Sequence, residues 1–384
     1  MPDRVYLDWN ATTPLRPEAR DAMAAAWEMA GNPSSVHAEG RQARRLLEYA
    51  RAAIAAAVGA RSQDVVFTSG GTEANALALT PGLRRGAGEV VRRLLVSAVE
   101  HTSVLSGGRF SPEAIGIIPV TGSGLVDIDR LRKLLAAGPP ALVSVMLANN
   151  ETGALQPVGE VAEIVHEAGA LLHVDAIQAF GKIPFDIKVM KADLVTLSAH
   201  KIGGPKGVGA LVLAEDVQGL EPLLRGGGQE LGRRAGTENV AGIAAFGAAV
   251  RAAMAALEGD AARLRGLRDR LEAGLKQTLG MIVFAEDVPR LPNTTLFTVP
   301  GLKAETAVIG FDLGGIAVSS GSACSSGKVQ PSHVLAAMGV GGELAQGAVR
   351  LSMGWSTTET DIDLALQAWR KLADALLRGR RNTA

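Results

Sequence analysis

Apolar positions follow two alternating rhythms along the chain. Short β-branched runs at residues 65–68, 93–98, 141–148, 171–174, 194–198 and 210–213 have the length and continuity of strands buried on both faces. Between them, residues 72–79, 128–135, 158–168 and the Ala-rich stretch 239–277 repeat their apolar positions with helical period. Strand–helix alternation of this kind predicts an α/β fold around a mainly parallel sheet, with active groups gathered at the carboxyl ends of its strands. The rhythm changes after about residue 257. A charged helix at 260–279 leads to strand-like runs at 282–284, 294–298 and 316–319, with helices at 332–338 and 359–377. The expected organisation is a large domain over 16–257 and a smaller α+β domain built from 1–15 and 258–384. No internal repeat or low-complexity linker separates them, so the two should pack closely.

Composition narrows the class of protein. Of 384 residues, 47% are hydrophobic and 20% charged, which suits a compact globular chain rather than a disordered one. The 39 basic and 39 acidic residues balance, so no net field favours nucleic acid or an anionic membrane. Arg92 with Arg93, and the basic run at 378–381, are short enough to be solvated faces. No apolar run is expected to reach the roughly 20 residues of a membrane span. The first nine residues lack the apolar stretch of a secretory signal, and a cytoplasmic location is expected. One cysteine can make neither an internal disulfide nor a multi-cysteine metal site.

Several segments carry chemistry. Ser198-Ala199-His200-Lys201 ends a strand and runs into Ile202-Gly203-Gly204-Pro205-Lys206-Gly207. A lysine held there, beside low-dielectric surroundings, has its charged form disfavoured and can form a Schiff base with an aldehyde cofactor. Alone, it equally suits a surface turn. His173-Val174-Asp175-Ala176-Ile177-Gln178 sets a carboxylate at the end of an apolar strand, either as a helix cap or as the partner of a pyridinium nitrogen. His173 by itself reads as a satisfied core histidine. Thr68-Ser69-Gly70-Gly71-Thr72-Glu73 runs from strand through glycine turn into helix, a natural phosphate cradle whose spacing fits neither the P-loop nor the dinucleotide pattern. A plain capped helix needs the same residues.

Glu100-His101 follows another strand, where an imidazole can stack on a flat ring and relay protons. Asn149-Asn150-Glu151 follows a third and offers an amide to a ring hydroxyl. Arg350, inside the strand-like Val349-Arg350-Leu351-Ser352, needs an anion, whether a substrate carboxylate or a structural partner. Cys324 sits in Ser319-Ser320-Gly321-Ser322-Ala323-Cys324-Ser325-Ser326-Gly327-Lys328, where nothing bulky and apolar is present to bury it. A thiol in that setting points to nucleophilic chemistry through its thiolate.

Taken in order, these segments resemble the cysteine desulfurases of the class V aminotransferase family, which have the aspartate-aminotransferase-like (type I) fold. The resemblance runs from Tyr6-Leu7-Asp8-Trp9-Asn10-Ala11-Thr12-Thr13-Pro14 to Val349-Arg350-Leu351-Ser352-Met353-Gly354. It implies pyridoxal 5'-phosphate as cofactor, joined to Lys201, with Asp175 on the ring nitrogen and His101 on the ring face. It further implies that Asn150 and Gln178 reach the ring hydroxyl and that Gly71, Thr72, Ser198 and His200 hold the phosphate. Thr237 would reach that phosphate from the partner of a homodimer. Asn10 and Arg350 match the groups that hold the carboxylate of L-cysteine, and Cys324 matches the sulfur-accepting cysteine.

The implied reaction converts L-cysteine to L-alanine and leaves a persulfide on Cys324. The sulfur then passes to an acceptor protein such as an iron–sulfur scaffold. No resident metal is expected, apart from Cys324 acting as a transient cluster ligand shared with a scaffold. The Gly/Ser-rich setting of Cys324 is similar to the long-loop branch of the family. Trp9 stands where tyrosine or asparagine is more familiar, and is expected to narrow the substrate mouth. Gly71 stands where alanine is common, and the stretch 107–119 looks abbreviated. A selenocysteine lyase of the same fold shares Lys201 and the phosphate site, whereas a mere sulfur carrier needs only the thiol.

Overall fold

The computed structural model of the chain describes residues 4–321 and 332–381. A seven-stranded sheet forms its centre, in the spatial order Val65–Thr68, Gly209–Leu213, Leu194–Ser198, Leu171–Asp175, Ala141–Met146, Arg93–Ser97, Ile115–Ile118. Only Gly209–Leu213 runs against its neighbours. Six of these strands match the expected runs to within two residues, because each is an uninterrupted apolar run buried on both faces. The fold is therefore α/β with a mainly parallel sheet, as the alternation implied.

Two helices that the apolar rhythm left unassigned precede the sheet, Pro17–Trp27 and Ala38–Val58. The second is capped by His37, whose ring accepts from the Gly40 N–H, and it stops at Gly59 in the left-handed conformation (φ 73°). Its buried positions, Ala43, Leu47, Ala50, Ile54 and Val58, fall on one helical stripe. The stretch 107–119 forms one 3₁₀ turn, Pro112–Ala114, and the edge strand Ile115–Ile118.

A second sheet of four short strands, in the order Ile282–Val283, Thr294–Thr298, Val349–Ser352, Ser319–Ser320, is antiparallel throughout. The expected run 316–319 divides: Ile316–Ala317 leaves this sheet to pair in parallel with Val5–Tyr6. Helices Ala304–Leu313 and Glu359–Arg381 cover the sheet. The latter opens on a reciprocal cap, Thr358 Oγ1 accepting from the Asp361 N–H while the Asp361 carboxylate accepts from the Thr358 N–H. Its Trp369, wholly buried, packs edge-on to Phe297 at 5.1 Å and face-on to Phe311 at 6.2 Å, and its Nε1–H bonds Thr278 Oγ1.

Helix Val240–Leu275 joins the two halves. It unites what the sequence split into an Ala-rich stretch and a charged helix. Its apolar window is as long as a membrane span by length and composition, contrary to the expectation that no run would be; 61% of that window is buried inside the protein. It packs against the two N-terminal helices, so the apolar face is already covered by protein.

His173 lies at the heart of the main sheet, fully buried, with Nδ1 2.8 Å from Ser144 Oγ and Nε2 3.1 Å from Thr196 Oγ1. Burial pushes its pKa from 6.5 down to about 3, so folding selects the neutral ring. Stability from this source is complete above pH 6.5 and is lost as pH falls toward 3.

Two outcomes follow for unfolding experiments. Trp369→Ala should cost about 3–5 kcal/mol in urea unfolding, the range for deleting a buried Trp. His173→Gln should remove about one proton of uptake from the acid limb, which lowers its slope by about 1.4 kcal/mol per pH unit. Unfolding titrations at stepped pH measure that slope directly.

Candidate active site

The carboxyl ends of the parallel strands open into one cavity of about 300 Å³. Each wall comes from the loop after a strand, where the sheet's hydrogen bonding ends and side chains are free to turn inward. Gly71 and Thr72 follow Val65–Thr68, His101 and Ser103 follow Arg93–Ser97, and Ala148 and Asn150 follow Ala141–Met146. Asp175, Ile177 and Gln178 come from the end of Leu171–Asp175, and Ser198, His200 and Lys201 from the end of Leu194–Ser198. Asn10, Ala11 and Arg350 close the cavity from the other side. Eleven residues expected to act at the site thus line a single space: Asn10, Gly71, Thr72, His101, Asn150, Asp175, Gln178, Ser198, His200, Lys201 and Arg350.

 The other two expected residues, Thr237 and Cys324, are not among the walls. Thr237 is exposed, on a segment held to the start of helix Gly71–Ala78 by the Arg234–Glu73 ion pair at 2.9 Å. Cys324 lies outside the described residues.

Lys201 is held by the N-terminal segment, its Nζ donating to the backbone carbonyls of Asn10 (2.5 Å) and Ala11 (2.8 Å). His200 bonds Thr12 through Nδ1, and burial, followed by the charges of Lys201, Lys206 and Lys182, pushes its pKa down to about 4. It is neutral at pH 7. Asp175 is buried, and desolvation pushes its pKa up. The Asn75 amide, the Ile177 N–H, His101 and Lys201 oppose that shift by favouring the carboxylate. His101 is lowered, first by burial; Asp175 opposes the shift, while Lys201 and His333 add to it.

Arg350 has both kinds of partner that the sequence left open. Its Nη2 pairs with Asp8 at 2.6 Å and its Nη1 donates to the Asn150 carbonyl at 3.0 Å, while its buried Nε has no partner among the described residues. Asn10 lines the cavity and is also hydrogen-bonded within the protein. Its amide hydrogens go to the Asn150 carbonyl and Thr294 Oγ1, and its Oδ1 accepts from Lys182 and Asn293, so the side chain is engaged within the protein. Trp9 does not narrow the cavity: it is buried, 4.6 Å from the Trp355 ring, and is absent from the lining. Gly71 leaves room that a side chain would contest, since an added Cβ would meet Ile177 Cδ1 at 2.3 Å.

Sequence reasoning missed Asp8, Asn75, Ser103 and Lys182. Lys182 Nζ donates to Asn10 Oδ1 and Gln178 Oε1, and burial with the charges of Lys201 and Arg350 pushes its pKa well below the ordinary lysine value. Asn75 had one signal, a polar residue on the buried face of helix Gly71–Ala78. The flanks of the Cys324 segment lie near the cavity. Ser319 pairs with Arg350 across the small sheet, and Ser332 Oγ donates to the Glu151 carboxylate at 2.5 Å. Burial pushes the Glu151 pKa up to about 7, against the pull of Ser332 and Arg350.

Comparison with known proteins agrees with this geometry. The chain is 45% identical over 381 residues to a protein named cysteine desulfurase from Cereibacter sphaeroides, covering 97% of each. It is 42% identical to an IscS-like cysteine desulfurase of Mycobacterium tuberculosis, over 98% of this chain and 97% of that one. Its fold superposes on the X-ray structure of a NifS-like protein from Rickettsia africae with a TM-score of 0.88, at 38% identity over 97% of this chain and 99% of that one. With the model of the family described as aminotransferase class-V matching residues 5–365, the chain belongs to that family.

Proposed function

We propose that this protein is a pyridoxal-phosphate-dependent cysteine desulfurase, which converts L-cysteine to L-alanine and takes the sulfur onto Cys324 as a persulfide. The observation that carries the reading is the convergence of Lys201, Asp175 and Arg350 on one cavity, in a chain whose relatives bear that name along nearly its whole length.

The donor set supports the cofactor. Asp175, buried and hydrogen-bonded, is placed to pair with a protonated ring nitrogen, and His101 lies at the same cavity as a flat partner for the ring. Thr72 lies in the first turn of helix Gly71–Ala78 with Ser198 beside Gly71, where backbone N–H groups favour a phosphate, and His200 lines the same cavity. Thr237 of a second protomer completes that site in the proposed homodimer. Gln178 and Asn150 serve the ring hydroxyl. When bound, pyridoxal phosphate supplies a conjugated ring that accepts the electron pair left at the substrate α-carbon.

The chain's own groups do the rest. Arg350 Nε, buried and without a partner among the described residues, is the donor for the substrate carboxylate. Lys201 Nζ, once released from the Asn10 and Ala11 carbonyls, moves the α-proton. The Cys324 thiolate attacks the substrate sulfur: the S–S bond forms as the C–S bond breaks, and the carbon that loses sulfur gains a proton to become the alanine methyl. Sulfur then leaves Cys324 for an acceptor protein, an iron–sulfur scaffold in this proposal.

The purified protein should be yellow, and borohydride should bleach it and fix the cofactor on Lys201, as peptide mass spectrometry would record. Cys324→Ala should keep the colour and lose sulfide release from L-cysteine. Release at the wild-type rate from that variant would overturn the persulfide step.

A further inference from the structure

A chain of buried polar side chains connects Asp175 to His101, and its donors and acceptors can be assigned one by one. The amide of Asn75, wholly buried, gives one hydrogen to Asp175 Oδ2 and the other to Ser103 Oγ, each at 2.9 Å. The opposite amide orientation would set a carbonyl against a carboxylate, an acceptor against an acceptor. With that orientation fixed, Asn75 Oδ1 accepts from the Thr196 hydroxyl at 2.6 Å. Thr196 has then spent its proton, so the 3.1 Å contact to His173 Nε2 needs a hydrogen on that nitrogen, and His173 Nδ1 accepts from Ser144.

The same logic runs the other way. Ser103 Oγ receives the Asn75 hydrogen and lies 2.8 Å from His101 Nδ1, toward which its proton points because that nitrogen already faces a backbone donor. The Ser103 backbone N–H aims at the same nitrogen at 3.1 Å. Nδ1 therefore accepts twice, and the neutral ring must carry its hydrogen on Nε2.

We propose that Asn75 and Ser103 are positioning residues that transmit the charge of Asp175 to His101 and hold the His101 proton on Nε2. A ring in this state has no free lone pair: Nδ1 is filled by two donors and Nε2 is protonated. His101 then gives a hydrogen bond toward the cavity and takes no proton, so proton abstraction from the substrate is left to Lys201. Only that last use rests on the function proposed above; the tautomer belongs to the protein without cofactor.

The test is two-bond ¹H–¹⁵N spectroscopy of histidine-labelled, cofactor-free protein, with His101 assigned by His101→Gln. Wild type should show a protonated Nε2 and a bare, pyridine-like Nδ1 above the titration of the ring. Ser103→Ala removes a donor that favours the neutral ring, so the His101 titration should move to higher pH, and Ser103→Thr should restore it. The charged groups that also act on this ring, Asp175, Lys201 and His333, are unchanged in both variants. A hydrogen on Nδ1 in the wild type overturns the proposal, whatever the variants do. So does an unmoved titration in a Ser103→Ala protein that unfolds at the wild-type temperature. If the tautomer is as stated but L-cysteine yields no alanine, the proposed function fails and this inference stands.

Discussion

A carboxylate at the end of a central strand, cut off from water, is the constraint around which the main sheet is arranged. Desolvation raises the pKa of Asp175, and hydrogen-bond donors that replace the lost water favour its charged form. Those donors come from two separate elements, the Asn75 amide on the helix after the first strand and the Ile177 N–H just beyond Asp175 itself. Because Asn75 must face the carboxylate with its nitrogen, Thr196 must donate to its oxygen and Ser103 Oγ must accept from its second hydrogen. One charge thereby orders groups on a helix, a strand and two segments that follow strand ends, which is why they meet at a defined geometry.

The opposite wall obeys a different economy of contacts. Arg350 rises from the small sheet with its charge already met by Asp8, so the site does not depend on substrate to neutralise it. Asp8 and Asn10 belong to the N-terminal segment, which pairs first with Ile316–Ala317, then bridges from Asp8 to Ser352 of the small sheet, and then meets Lys201. The carbonyls of that segment engage the lysine amine, and its side chains brace Lys182 and Asn293. The two sheets therefore share the segment that carries these contacts.

Much of this was legible in the sequence, for a simple reason. Strands such as Val65–Thr68 and Leu194–Ser198 are buried on both faces, and unbroken apolar runs announce them. Lys201, Asp175 and His101 stand just past such runs, where a parallel sheet puts its reactive groups. The helices before the sheet escaped notice because alanine and arginine dominate them, and their apolar stripe is thin. Asp8 and Lys182 were hidden for another reason: each meets a partner distant in sequence, Arg350 and Asn10, and no local pattern marks such pairs. Trp9 shows the same limit, since its position against Trp355 depends on a strand-end turn more than three hundred residues away.

The long helix Val240–Leu275 contributes Ile243, Phe246, Val250 and Ala253 to the core of the main sheet, and Leu264, Leu267, Leu271 and Leu275 to the core of the smaller one. Between those sets it is continuous, so the two cores are kept in angular phase by a single rod. Adding or deleting one residue in its middle would turn one set by about 100° relative to the other. The spacing between Ala253 and Leu264 is thus a dimension that evolution can lengthen only by whole turns.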